Sequence, residues 1–227
     1  VEELAHLALE QGHSWLLGSA QSIERRTPYR AWREILFTHL ALSDQVDRTA
    51  QRQQVVGYLS RLSPVLAERA PLLNDILGLD LPETPLTQGF DPQLRRESLT
   101  TLIIELLRAA TTAGPLVLIL EDAHWLDSLS LELALAVARA LVDQPLLLVL
   151  VLRPLEQALR PTYAPLLSLE GAAALRLEGM AVEETVVLAA ERLGIPVAAM
   201  PPALSDLVRE RAGGNPFFAE EIAYAPV

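Results

Sequence analysis

Residues 115–127, Pro-Leu-Val-Leu-Ile-Leu-Glu-Asp-Ala-His-Trp-Leu-Asp, constrain the fold more than any other stretch of this chain. Five apolar residues, Leu116 to Leu120, run directly into Glu121 and Asp122 behind a Gly114-Pro115 turn signal. Such a run predicts a strand buried on both faces of a parallel sheet. Acids where that strand ends lie at the carboxyl edge of the sheet, the edge at which open α/β sheets bind ligands. A hard cation such as Mg²⁺ wants oxygen ligands and usually takes only one or two carboxylates beside substrate phosphates. Two readings of the acid pair therefore stand side by side. It is a Walker B pair that works on a metal and a phosphate, or it merely caps the next helix.

Composition narrows the function classes. The chain has 227 residues, half of them hydrophobic, enough for one large domain or a domain with a small helical appendage. Its net charge of −11 argues against a nucleic-acid surface on this segment. The absence of cysteine excludes disulfides and thiolate metal sites and favours a cytoplasmic setting. The four histidines are scattered, and His124, beside the acid pair, reads as a packing or supporting residue. No lysine occurs; all 18 basic residues are arginine. A P-loop needs Gly-x-x-x-x-Gly-Lys-[Ser/Thr], so none lies within residues 1–227. A first residue of Val1 without a signal peptide predicts a piece of a longer polypeptide. The most apolar region, 129–152, is interrupted by Glu132, Arg139 and Asp143. Its uninterrupted part, 145–152, is far shorter than the ~20 residues of a membrane helix, so no membrane partner is expected.

Periodicity and punctuation predict the element order. A helix over 1–11 carries Leu4, Leu7 and Ala8, and a short strand follows at 14–20. A polar loop at 21–26 leads to a helix starting at Thr27-Pro28, with Trp32, Ile35, Leu36 and Leu40 on one face. Helices over 44–80 break near Pro64 and Pro71, and 81–89 reads as a loop. A long helix over 91–112 carries Leu94, Leu99, Ile103, Leu106 and Leu107. After the 116–120 strand come a helix at 129–142, capped by Asp127 or Ser128, a buried strand at 146–152 and a fourth strand candidate at 174–177. Helices over 182–193, 202–212 and 216–224 close the chain. The expected organisation is an α/β domain over 1–178, with a helical insertion at about 29–112, and a helical lid over 179–227.

Four motifs in this order carry a family resemblance: Thr27-Pro28-Tyr29 with Trp32-Arg33-Glu34-Ile35-Leu36; Leu118-Ile119-Leu120-Glu121-Asp122-Ala123-His124-Trp125-Leu126-Asp127; Leu150-Val151-Leu152-Arg153-Pro154; and Ala212-Gly213-Gly214-Asn215-Pro216-Phe217-Phe218-Ala219-Glu220-Glu221. With them the chain resembles the signal-transduction ATPases with numerous domains (STAND). It is most similar to the origin-recognition-like AAA+ domains of large LuxR-type regulators and class III adenylate cyclases. The second and fourth motifs are specific; the other two are supportive. The resemblance implies a P-loop NTPase-like parallel sheet flanked by helices, with ATP and Mg²⁺ as cofactors.

It also implies roles. Glu121 would hold the metal, and Asp122 would orient or deprotonate the attacking water while sharing the metal site. Arg153 would meet the γ-phosphate, or, read as an isolated residue, would pair with a surface acid. Tyr29, Gly214, Asn215 and Pro216 would contact the nucleotide, the last three as the lid's Gly-x-Pro turn, or Asn215-Pro216 would only start a helix. Trp32, Trp125, Phe217 and Phe218 are expected to be core anchors. The family's P-loop and its strand would precede Val1, and that strand would lie between those at 146–152 and 174–177. These residues alone are therefore expected to leave a seam, or to close it by moving the fourth strand. The function implied is an ATP-binding and ATP-hydrolysing switch of a bacterial signalling or transcriptional regulator. Its partners would be nucleotide and other domains of the same polypeptide, with self-association compatible. The alternative is a non-catalytic scaffold that kept the ATPase shape, and the 227 residues alone are expected to bind ATP weakly or not at all.

Overall fold

The structure is a computed structural model, and it describes residues 1–24, 27–155, 157 and 159–224, the side chains of Glu2 and Glu24 excepted. Arg25 and Arg26 of the expected polar loop lie outside the described residues. Two compact units result, Val1–Ala172 and Ala173–Val227.

The first unit is built on three parallel strands in the spatial order β1-β2-β3. Helix α1 (Glu2–Glu10) precedes β1 (Ser14–Ser19). Then come α2 (Arg30–His39), α3 (Arg48–Leu62), α4 (Pro64–Glu68), α5 (Asn74–Leu77) and the long α6 (Pro92–Ala113). Strand β2 (Leu116–Glu121), α7 (Ser128–Ala140), β3 (Leu146–Leu150) and α8 (Arg160–Leu167) complete the unit.

The middle strand accounts for the layering. Leu116, Leu118 and Leu120 point into the larger core, with Trp32, Ile35 and Leu36 of α2, Leu102 and Leu106 of α6, and Ala134 and Val137 of α7. Val117 and Ile119 face the other way, onto Ala8 of α1, with Trp15, Leu17 and Val149 beside them. This is the period-2 alternation of a strand covered on both sides. Each such buried aliphatic side chain contributes about 1.5–3 kcal/mol.

Helix boundaries follow local chemistry. Asp91 caps α6 by accepting from Gln93 and Leu94 backbone N–H groups at 2.9 and 2.8 Å, with Pro92 in the first turn. Helix α2 starts at Arg30 rather than at Thr27-Pro28, because Tyr29 before it adopts the left-handed conformation, φ 59°. Glu34 in that helix accepts from the Ser19 N–H at 2.8 Å and so fixes the carboxyl end of β1. Gly18 lets α2 lie directly on β1: a Cβ there would stand 2.2 Å from the Ala31 carbonyl oxygen.

Several expectations need correction. Residues 174–177 form no strand; Leu175 and Leu177 are 87% and 86% exposed, since no sheet face is offered to them. Strand β3 is not buried: Leu147 is half-exposed, and among the described residues no strand pairs with the edge away from β2. With no strand at 174–177 the expected seam has only one side, the edge of β3. Leu7 and Leu94 are exposed, as are Phe217 and Phe218, and Trp125 is only half-buried; Trp32 alone of the four aromatic residues is a core anchor. Helix α8 has no counterpart among the expected elements.

The second unit is helical: α9 (Val182–Arg192), α10 (Pro202–Arg211) and α11 (Pro216–Tyr224). They close over Val186, Ala189, Leu204, Val208 and Ala219. Gly214, at φ 78°, accepts at its carbonyl from the Met180 N–H at 2.8 Å; a Cβ there would meet the Met180 carbonyl oxygen at 2.8 Å. Among the described residues no helix is long and apolar enough to cross a membrane.

Two outcomes are expected. Gly18→Ala should lower stability by about 2 kcal/mol, the cost of forcing backbone apart in a packed core, measured by urea unfolding. The second concerns His39, which is half-buried against Tyr58, its Nε2 2.9 Å from the hydroxyl. Burial lowers its pKa from the ordinary 6.5. The unfolded chain therefore takes up the proton first, so stability is full above about pH 6.5 and falls as the pH drops below it. His39→Gln should flatten that acid limb of the stability profile.

Candidate nucleotide site at the carboxyl end of the sheet

Strand β2 delivers Glu121 as its last residue, in register with Ser19 of β1. Continuing the alternation, Glu121 points to the α1 side of the sheet, with Val117 and Ile119. Asp122 then turns the chain sharply, at φ 50° and ψ 36°. A non-glycine residue there is strained and needs surrounding contacts to hold it. The turn continues as one 3-10 turn, Ala123–Trp125, before Asp127 caps α7.

The chain beyond β3 meets this turn. The Ala123 N–H donates to the Val151 carbonyl at 2.8 Å, and Val151 N–H donates to Leu120 at 2.9 Å. The Arg153 N–H reaches His124 Nδ1 at 3.5 Å, and its guanidinium lies 5.7 Å from the Trp125 ring. Asp122 Oδ1 stands 3.9 Å from the same Nδ1, in ionic range but too long for a hydrogen bond. Glu121, Asp122 and Arg153 thus belong to two neighbouring strand ends, with His124 between Asp122 and Arg153. Its ring leans on Trp125, centroids 4.4 Å apart. His124 Nε2 is buried and has no hydrogen-bond partner among the described residues. A buried polar atom left without a partner is costly.

Asp127 joins the first and second sequence motifs. Its Oδ1 accepts from the Ser130 N–H at 3.0 Å, closing the cap of α7. Its Oδ2 accepts from the Ser130 hydroxyl at 2.5 Å and from the Tyr29 N–H at 3.2 Å. Trp32 Nε1 donates to the Ser130 carbonyl at 3.0 Å. Tyr29 itself is buried, so its link to the turn runs through its backbone. Its hydroxyl pKa is raised, first by burial and then by the Asp75, Asp127 and Glu132 carboxylates.

In the second unit, Asn215 Oδ1 accepts from the Phe217 N–H at 3.0 Å and starts α11, with Pro216 in its first turn. Gly213 and Gly214 both adopt positive φ, so the Gly-Asn-Pro turn has the backbone that its glycines permit. Sequence reading missed Ser130 and Tyr163. Ser130 was signalled by its place three residues after Asp127, the spacing of a helix cap.

The arrangement fits a Mg²⁺–nucleotide ligand in one respect and is incomplete in another. Two adjacent carboxylates lie at the sheet's carboxyl edge, as a cation with phosphate oxygens would require. Among the described residues no group of three or more His, Cys, Asp or Glu could hold a metal alone. Any cation here would complete its shell with ligand oxygens and water.

A parallel sheet flanked by helices, with acids ending its middle strand and an arginine after the next, defines a P-loop NTPase-like α/β fold. The family model described as an AAA ATPase domain matches residues 1–151, and the chain belongs to that family. A second model, a domain of unknown function, matches residues 181–225. An uncharacterized protein of Rhizobium meliloti (strain 1021) is 30% identical over 157 residues, covering 68% of this chain. The aligned stretch is 15% of that relative's length. No solved structure matches. The chain is therefore an ATPase-type domain, and nucleotide binding comes with the family.

Asp127→Ala should cost about 1–2 kcal/mol, because the α7 cap is lost. It also leaves the Tyr29 N–H without its acceptor. Urea unfolding of the 227-residue chain measures it.

Proposed function

We propose that this domain is an ATP-binding and ATP-hydrolysing switch within a larger signalling or transcriptional regulator. One observation carries the reading: Glu121 and Asp122 end the central buried strand beside the turn where Arg153 leaves the neighbouring strand. Glu121 is assigned to Mg²⁺, directly or through water. Asp122 shares that metal site and orients or deprotonates the attacking water. Arg153 answers charge on the γ-phosphate with a planar, permanently charged fork. When bound, the metal offsets negative charge on the transferring phosphoryl group. Gly214, Asn215 and Pro216 are assigned to the nucleotide as a lid turn. Tyr29 acts through its backbone by holding Asp127.

Residues 1–227 contain no lysine, so a lysine-bearing phosphate loop has to come from other residues. The 227-residue chain alone is accordingly expected to bind Mg²⁺-ATP weakly. The partners proposed are nucleotide and neighbouring domains, with a cytoplasmic location and no nucleic-acid contact by this segment.

The test is steady-state ATP hydrolysis by the full-length polypeptide. Asp122→Asn should lower kcat by about 10²-fold or more, as expected for loss of a positioned base. Arg153→Ala should lower it by a similar factor of roughly 10², the cost of one charge-stabilising group. Glu121→Gln should raise the Mg²⁺ concentration needed for half-maximal rate. Wild-type and Asp122→Asn proteins with equal rates would sink the reading and favour the scaffold.

A further inference from the structure

We propose that Tyr163 of α8 is a positioning residue that holds Asp122 in its working conformation; this rests on the function proposed above. The acid turn bends at Asp122 in the left-handed region, φ 50°, a conformation uncommon for any residue but glycine even though aspartate takes it more readily than most. Such a conformation persists only where its surroundings over-determine it.

Ala123, the next residue, is fully buried, and both of its backbone groups are claimed. Its N–H goes to Val151, just past β3. Its carbonyl accepts from the Leu126 N–H at 3.1 Å and from the Tyr163 hydroxyl at 2.5 Å. The Leu126 bond is internal to the turn, so it travels with the turn and cannot fix it in space. Tyr163 comes from another element, 40 residues away in sequence, and is only 4% exposed. A buried hydroxyl keeps its place only with a partner, and here the partner is the peptide between Ala123 and His124, one residue beyond Asp122.

Val151 holds the peptide on the Asp122 side of Ala123, and Tyr163 holds the peptide on its His124 side. Arg153 and Tyr163 also lie on the same connection, between β3 and the middle of α8. Helix α8 is short, has no side-chain cap and contains Pro165, so its position depends on packing more than on its own helical bonds.

Tyr163→Phe removes one hydroxyl and keeps the ring. Two measurements decide the matter. In the metal-free 227-residue chain, hydrogen exchange of the amides of residues 122–126 should speed up about tenfold, the worth of one hydrogen bond. Amides of α6 should be unchanged. In the full-length polypeptide kcat for ATP should fall about tenfold, for the same reason, with KM unchanged. Tyr163→Leu should give the same kcat loss with a lower unfolding midpoint. Unchanged exchange in the turn, or an unaltered kcat beside a catalytically dead Asp122→Asn, would overturn the proposal. A wild-type protein no faster than Asp122→Asn would defeat the proposed function instead, and the exchange result would still decide the role of Tyr163.

Discussion

Everything in the first unit depends on β2 being hydrogen-bonded on both edges and covered on both faces. Its parallel ladders to β1 and β3 satisfy the backbone, and its five leucine, valine and isoleucine side chains divide between two cores. A strand so enclosed cannot shift register without moving its whole apolar set. That rigidity is transmitted to its last residue. Glu121 and Asp122 are placed by the most enclosed strand of the domain, while Tyr163 of α8 reaches the following turn from the side.

How much of this was legible varies with the physical signal. The strand at 116–120 is written as an unbroken apolar run between a Gly-Pro turn and two acids, and nothing else fits that pattern. The cap at Asp91 and the stripe of Leu99, Ile103, Leu106 and Leu107 are equally local, and α6 follows them closely. The strand candidate at 174–177 failed because alternation of Leu175 and Leu177 describes a strand only if a sheet face receives them. Helix α8 was unreadable for the opposite reason. Two prolines within Arg160–Leu167 erase the local helix signal, yet Tyr163 finds a buried place beneath the acid turn.

The site was legible as chemistry and not as geometry. Acid pair, arginine, Gly-Asn-Pro turn and the Asp127 cap could be picked from the sequence, but the reach of Asp127 to Tyr29 could not. Its carboxylate ties the α7 cap, the Ser130 hydroxyl and the Tyr29 peptide together, so two motifs almost a hundred residues apart meet. Tyr29 is buried and meets the motif through its amide, a placement that residue type alone does not announce.

The unpaired margin of β3 has a consequence for how the molecule behaves in a tube. Leucine-rich, half-covered and lacking any charged side chain from Leu146 to Leu150, it has no strand partner among the described residues and offers an edge that an extended peptide can lengthen. Concentrating the isolated 227 residues therefore sets folding against intermolecular ribbon growth, and a short extended peptide seated on that margin would act as a plug against precipitation.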